Sequence, residues 1–217
     1  MTAQTPVQAS EKIGLSFWFN GLELKSKLPP MTEEEFLEFC LDNPDLRIET
    51  DPWGNIVAEP PVSYESGGNE GEIGVDLGLW NRQTKLGKTF SPSTIFTLPD
   101  GSRRMPDAAW VSMEKHRRLS AEERNKFARV VPDFVVEVRS PSDDLKRLQA
   151  KMTGVWIANG VRLAWLIDPI TEKTWIYRPD GSIDVVEGFG HQLSGESVLP
   201  GFVFDLSVLK SDEEAGE

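Results

Sequence analysis

Between Val130 and Lys151 the chain reads VVPDFVVEVRSPSDDLKRLQAK, and one acidic residue there constrains the fold more than any other feature. Phe134, Val136 and Val138 alternate with Val135, Glu137 and Arg139, the period of two of a β-strand. Glu137 therefore sits in the middle of an otherwise apolar strand. A carboxylate on a buried strand is costly unless a cation or strong donors compensate it. Ser140-Pro141-Ser142-Asp143 ends the strand and offers a helix N-cap, with Asp143 the best candidate. The spacing of Leu145, Leu148, Met152 and Val155 predicts a helix after it, and Lys151 lies on that helix. Chemistry is expected in this stretch.

The rest of the chain sets limits. At 217 residues it can build one sizeable core with a small N-terminal addition. A hydrophobic content of 39% and a charged content of 27% fit a soluble globular protein. No apolar run approaches the roughly 18 residues that a membrane helix needs. The first residues, MTAQTPVQASEK, lack the basic-then-apolar order of a signal peptide. Cys40 is the single cysteine and makes no intrachain disulfide, so a cytoplasmic location is expected. The net charge of −12 argues against casual nucleic-acid binding. Its distribution softens that argument, because residues 101–151 carry 12 basic and 8 acidic side chains. This net-positive third surrounds the suspected site. It reads either as a contact surface or as a helical insert with a solvated basic face.

In chain order, residues 1–30 form an N-terminal arm whose cluster Leu15-Ser16-Phe17-Trp18-Phe19 is expected to pack on the body. Thr32 and Glu35 form a capping box. The helix they open has Phe36, Leu37, Phe39 and Cys40 on its apolar side. Leu46 to Thr50 and Asn55 to Glu59 read as two strands joined at Asp51-Pro52-Trp53-Gly54. Residues 31–60 thus make a helix-and-hairpin addition. Pro60-Pro61 and Ser66-Gly67-Gly68 bracket a linker. Ile73, Leu77 and Trp80 predict a helix over Asn69 to Lys85, which Gly87 ends. Thr89 to Leu98 is expected to be one strand, and Asp107 to Val111 the next, with Pro106 fixing φ before it. Ser120 and Glu123 form a second capping box in the basic insert. After the central strand and its helix, Arg162 to Ile167 reads as a buried strand. Lys173 to Arg178 and Ser182 to Val186 read as a hairpin. The expected organisation is a single domain over 31–209, with a core at 66–170, a C-terminal hairpin and return at 171–209, and an acidic tail at 210–217.

Glu72, Asp107, Glu137 and Lys151 stand at ends or middles of core elements. Carboxylates brought together repel, and a divalent metal relieves that, since hard cations take oxygen ligands. Such a metal activates water and neutralises charge on a phosphate. A nearby ammonium positions the water or steadies developing negative charge. The set suits metal-dependent phosphodiester hydrolysis. Taken singly, each residue also fits a structural ion pair. Asp133 and Asp168, each beside a proline, read as turn residues.

Four segments carry a resemblance. They are Met105-Pro-Asp-Ala-Ala-Trp-Val111, Pro132-Asp-Phe-Val-Val-Glu-Val-Arg-Ser-Pro-Ser-Asp143, Gln149-Ala-Lys-Met152 and Leu163-Ala-Trp-Leu-Ile-Asp-Pro169. In order and content they resemble the Uma-type putative restriction endonuclease family of the PD-(D/E)XK nuclease superfamily. The likeness runs from near Met31 to about Leu206. It implies an α/β (α+β) fold: a restriction-endonuclease-like core of helix, three strands, helix and strand on a mixed sheet flanked by helices. It also implies that Asp107 and Glu137 hold a metal. The first-helix Glu falls on Glu72, with Glu70 the alternative. The lysine that the superfamily carries two residues after the strand Glu is replaced here by Arg139. The resemblance suggests that it has moved to Lys151.

Other chemistries lack support. His116 and His191 have no partners at ligand spacing, and no Cys-Cys-His pattern occurs. No glycine run matches a phosphate-cradling loop. Ser140 and Ser142 lack a His/Asp relay. Core packing is the reading for most of the seven tryptophans, including Trp80, Trp110, Trp156, Trp165 and Trp175. The expected function is a Mg²⁺- or Mn²⁺-dependent endonuclease acting on DNA. Arg139 would bind phosphate, and Arg103, Arg104, Lys115, Arg117, Arg118, Arg124 and Lys126 would contact the backbone. Cutting both strands needs two sites, so a symmetric homodimer is expected. The alternative is a non-catalytic binding or assembly module that keeps the fold.

Overall fold

The computed structural model describes residues 23–24, 31–59 and 61–210. The Leu15–Phe19 cluster and the tail beyond Lys210 lie outside these residues. The chain enters with β1 (Glu23–Leu24) and then α1 (Glu33–Asp42), which opens on the expected Thr32/Glu35 capping box. The hairpin β2 (Arg47–Thr50) and β3 (Ile56–Glu59) turns at Asp51. Its carboxylate accepts the N–H groups of Trp53 and Asn55 at 2.9 and 2.8 Å, and Gly54 supplies the positive φ of 82°.

Helix α2 (Tyr64–Thr84) begins at the Ser63 N-cap, well before the predicted Asn69. The stretch Ser66-Gly67-Gly68 is its first turns and not a linker. Five glycines, each costing about 1 kcal/mol against alanine in a helix, hid this start. Packing of Ile73, Leu77 and Trp80 overrides that propensity. The helix closes on Lys85 in the left-handed conformation, φ 57°, rather than at Gly87. Gly87 is needed for another reason: a Cβ there would run into the Val111 carbonyl and the Trp110 ring.

The predicted single strand over Thr89 to Leu98 is two. β4 (Gly87–Phe90) and β5 (Phe96–Thr97) are separated by a turn in which the Thr94 N–H donates to Ser91 O. Pro92, without an N–H, cannot continue a ladder there. β5 pairs with β6 (Arg103–Arg104), and the second sheet runs β1-β3-β2-β6-β5. Strands from the middle of the chain thus pair with the N-terminal hairpin.

β7 (Ala108–Ser112), the short helix α3 (Met113–Arg118) and β8 (Phe134–Val138) follow. Helix α4 (Leu145–Lys151) is capped by Asp144, whose carboxylate accepts the Arg147 N–H. Asp143 instead closes the preceding turn, accepting from Ser140 N–H at 2.7 Å and Ser140 Oγ at 2.6 Å. From Met152 to Ile157 the helix widens into a π-helical segment. Then come β9 (Leu163–Asp168), the hairpin β10 (Lys173–Tyr177) and β11 (Ile183–Glu187), and the pair β12 (Gln192–Ser194) and β13 (Val203–Asp205).

The main sheet has the order β11-β10-β9-β8-β7-β4. β8 and β9 are parallel and the other neighbours antiparallel, so the sheet is mixed. A parallel pair needs a crossover, which α4 and the π segment supply. One face, with Phe134, Val136 and Trp165, packs on α2 and on Phe202 and Phe204 of the return. The opposite face, with Val135, Ala164 and Leu166, packs on Met152 and Trp156. Burial on both faces explains why β8 and β9 read as near-continuous apolar runs.

Candidate active site

Pro106 delivers the chain into β7 at Asp107. The antiparallel register pairs Ala108 with Val136, Ala109 with Val135 and Trp110 with Phe134. Continued by one step, it would set Asp107 opposite Glu137, and opposed residues of an antiparallel pair share a face. The pairing stops at Ala108, and beyond it the Val138 N–H donates to the Asp107 side chain, Oδ2, at 2.7 Å, which fixes this carboxylate at the end of β8. The Lys151 ammonium lies at Glu137 and its charge also acts on Asp107, so the two carboxylates that the sequence placed in one site stand near the same cation.

Lys151, the last residue of α4, reaches back to Glu137. Its Nζ lies 3.0 Å from Glu137 Oε1 and 3.1 Å from Oε2. The π segment then turns Trp156 inward, and its indole N–H donates to Glu137 Oε1 at 2.7 Å. Trp156 is core, as expected, and also a ligand of the strand glutamate. π-helical turns occur often at functional sites, and here the widened turn aims a donor.

Glu72 does not join this group. It lies on the exposed side of α2, with Val75 and Leu79. Glu70, the alternative, is 9% exposed and lines a cleft of about 380 Å³ with Gly71, Gly74, Phe90, Pro92 and Asp107. A Cβ at Gly71 or Gly74 would meet nothing within 4 Å, so these glycines leave the cleft wall low. The core residues already contained the choice. Glu70 precedes Ile73 by three residues and Leu77 by seven, the spacing of one helix face, whereas Glu72 is out of phase.

A fourth carboxylate comes from the hairpin. Glu49 on β2 is 1% exposed. Its Oε1 accepts the Met105 N–H at 2.7 Å and lies 3.4 Å from Lys151 Nζ, and its Oε2 lies 3.0 Å from Arg104 Nη1. Two places before it, Arg47 reaches Asp107 Oδ1 at 3.6 Å and donates to Pro92 O at 3.1 Å. Sequence reasoning treated this hairpin as an addition and missed both residues. The available signal was an acidic residue beside Ile48 in a strand, the same signal that marked Glu137.

The site thus gathers Glu49, Glu70, Asp107 and Glu137 with Arg47, Arg104 and Lys151, four anions against three cations. The imbalance falls on Asp107, whose carboxyl is pushed up to about 7. Burial is the main cause and the Glu70 charge the next; the Val138 N–H, Lys151 and Arg47 pull it down without cancelling them. Glu49 goes the other way. Burial alone would raise it, but Lys151, Arg104 and the Met105 N–H together hold it below the usual carboxylate range.

These donors are all hard oxygens, the ligand type of Mg²⁺ or Mn²⁺. Among the described residues no group of three or more His, Cys, Asp or Glu side chains is arranged to hold a metal ion. Magnesium is commonly held by one or two carboxylates with waters and phosphate oxygens completing its shell. The buried, mutually repelling pair Glu70 and Asp107 fits that form.

Several expected phosphate contacts are internal. The Arg139 guanidinium lies 2.9 Å from the fully buried Asp168, so its charge serves the strand end. Arg103 is 8% exposed and lies over the Phe36 ring at 4.5 Å. Arg104 is taken by Glu49, and Lys115 by Asp133 at 3.0 Å. Arg117, Arg118, Arg124 and Lys126 remain on the surface, with Arg118 and Lys126 paired to Glu114 and Glu122. Asp168 closes a turn, as expected, its carboxylate accepting the Ile170 N–H, whereas Asp133 at the entry to β8 accepts the Ser112 N–H from the end of β7 and is not a turn residue.

A mixed sheet reached in the order α2, β4, β7, β8, α4, β9, with acids at the facing ends of β7 and β8, defines a restriction-endonuclease-like protein. The chain belongs to the Uma2 family, described as "Putative restriction endonuclease", whose model matches residues 33–208. It is also similar to the crystal structure of a putative nuclease belonging to DUF820 from Anabaena variabilis ATCC 29413. That likeness covers 83% of this chain and 97% of the other at a TM-score of 0.67 and 19% identity, and it speaks for the fold. No curated protein matches the chain.

Proposed function

We propose that this protein is a divalent-metal-dependent nuclease that hydrolyses phosphodiester bonds of DNA. The observation that carries the reading is the Glu70–Asp107 pair. Two buried carboxylates share the wall of an open cleft, and the Lys151 that pairs with Glu137 also acts on Asp107. Asp107 would be the common metal ligand, with Glu70 beside it; Glu137, held by Lys151 and Trp156, would have to turn from them to join the shell. A bound Mg²⁺ or Mn²⁺ would supply an activated water and a counter-charge for the phosphate. Lys151, held at the carboxylates, would orient the water or steady the developing charge. Of the expected contacts, Arg117 and Arg124, with Arg118 and Lys126 in exposed ion pairs, are left on the surface to meet the nucleic-acid backbone. Cleavage of both strands would require two chains, so we include a homodimer in the proposal.

The test is nicking of plasmid DNA with Mg²⁺ or Mn²⁺ by the wild type beside Asp107→Asn and Glu137→Gln. The reading expects nicking by the wild type and none by either variant. Absence of wild-type nicking, or equal nicking by all three, would defeat it. Light scattering of the same samples reads the dimer.

One observation favours a second reading, a binding module that keeps the fold without catalysis. Arg47 on Asp107 and Lys151 on Glu137 already balance part of the charge an ion would balance. DNA binding that neither needs a metal nor responds to Asp107→Asn would establish that reading.

A further inference from the structure

Glu49 is the buried carboxylate that the proposed chemistry leaves without a task. Its surroundings hold it rigidly. The Met105 N–H donates to Oε1 at 2.7 Å, and Arg104 holds Oε2 at 3.0 Å. Both donors belong to the segment that leads into Asp107, so Glu49 is fixed to the same backbone as the proposed metal ligand. Lys151 lies between this anchored carboxylate, at 3.4 Å, and Glu137, at 3.0 Å. An ammonium group has three donors and can serve two carboxylates at once.

That geometry matters when Glu137 must give oxygen lone pairs to an ion. A buried lysine paired with Glu137 alone would have to lose its counter-charge in the low-dielectric interior, or keep Glu137 from the metal. Glu49 offers a second counter-charge that does not move. We infer that Glu49 is a positioning residue: it holds Lys151 in place beside the site while Glu137 turns to the metal. The hairpin thereby becomes part of the active centre. The inference rests on the metal-dependent reading above.

The experiment is a calorimetric titration of Mn²⁺ alone into the full chain, without DNA. The proteins are the wild type, Glu49→Gln, Lys151→Met and the double variant. Loss of a partner that orients a metal ligand commonly costs ten- to a hundredfold in affinity. Glu49→Gln should therefore weaken Mn²⁺ binding at least about tenfold. In the Lys151→Met background the same substitution should change it less than about twofold, because the effect runs through the lysine. Glu49→Asp keeps the charge facing Arg104 but draws it back from Lys151, so it should show a smaller loss in the same direction. It serves as the reporter if Glu49→Gln does not fold, and wild-type affinity in Glu49→Asp would then overturn the inference. An unchanged affinity in a folded Glu49→Gln, or an equal loss in both backgrounds, overturns it while leaving the nuclease reading standing. A wild type that binds no Mn²⁺ defeats the metal-dependent reading and this inference with it.

Discussion

Asp107→Asn should make the metal-free protein more stable above pH 7, although it removes the proposed metal ligand. The ordinary titration of this carboxyl at 3.8 is displaced to about 7 in the folded chain, chiefly by burial and then by the Glu70 charge. Each pH unit of displacement is worth about 1.4 kcal/mol, so the ionised carboxylate costs the folded state about 4 kcal/mol. The sign follows from proton binding. Between 3.8 and about 7 the folded chain binds the proton more tightly than the unfolded chain. The associated stability is complete below 3.8 and is lost as pH rises through about 7. Asparagine mimics the protonated form and keeps an acceptor for the Val138 N–H. The variant should therefore gain about 4 kcal/mol at pH 8 and only about 2 kcal/mol at pH 5.5. Urea unfolding in EDTA, followed by fluorescence of the seven tryptophans, reads both values. Carboxylates away from Asp107 titrate alike in the two proteins and cancel in the difference. A variant no more stable than the wild type at pH 8, or a gain that does not change with pH, would refute the account of Asp107.

Four further outcomes follow from the packing. Arg139→Met strips a cation from the fully buried Asp168 and should cost about 3 kcal/mol in urea unfolding. A loss below about 1 kcal/mol would return Arg139 to the pool of free phosphate binders. Trp156→Phe removes the indole N–H from Glu137 and should cost about 1–3 kcal/mol by the same assay, whereas a ring that only fills space would lose less. Gly87→Ala drives a methyl into Val111 O and the Trp110 ring and should destabilise by at least about 3 kcal/mol, read as a lowered Tm. Glu72→Gln, on the exposed side of α2, should stay within about 0.5 kcal/mol of the wild type in urea unfolding.

The site's sheet half was legible from sequence because strands and helices print their periods locally. Alternation in β8 put Glu137 among apolar residues, Pro106 announced Asp107, and the helical spacing after Asp143 carried Lys151. The α2 half was legible in kind but misphased. Helix α2 begins in glycines that propensity reads as a linker, so its start was misplaced, and the sequence reading put the exposed Glu72 ahead of the cleft-lining Glu70. The phase of Ile73, Leu77 and Trp80 tells which of the two faces inward. Glu49 left one local mark, an acid beside Ile48 in a strand, but the roles of Glu49 and Arg47 were not legible, because they depend on two sheets meeting at Met105, a tertiary event with no local period. The roles of Arg103, Arg104 and Lys115 failed for the same reason. A count of basic residues sees charge but not the buried Phe36, Glu49 or Asp133 that holds each one.

The central claim is that Glu70 and Asp107 form a cation site in the cleft. Calorimetric titration of Mn²⁺ into the wild type, Glu70→Gln, Asp107→Asn and Glu72→Gln tests it directly. Binding by the wild type and Glu72→Gln, abolished in Glu70→Gln and Asp107→Asn, is the predicted pattern. A wild type that binds no ion, or four proteins that bind alike, would contradict it.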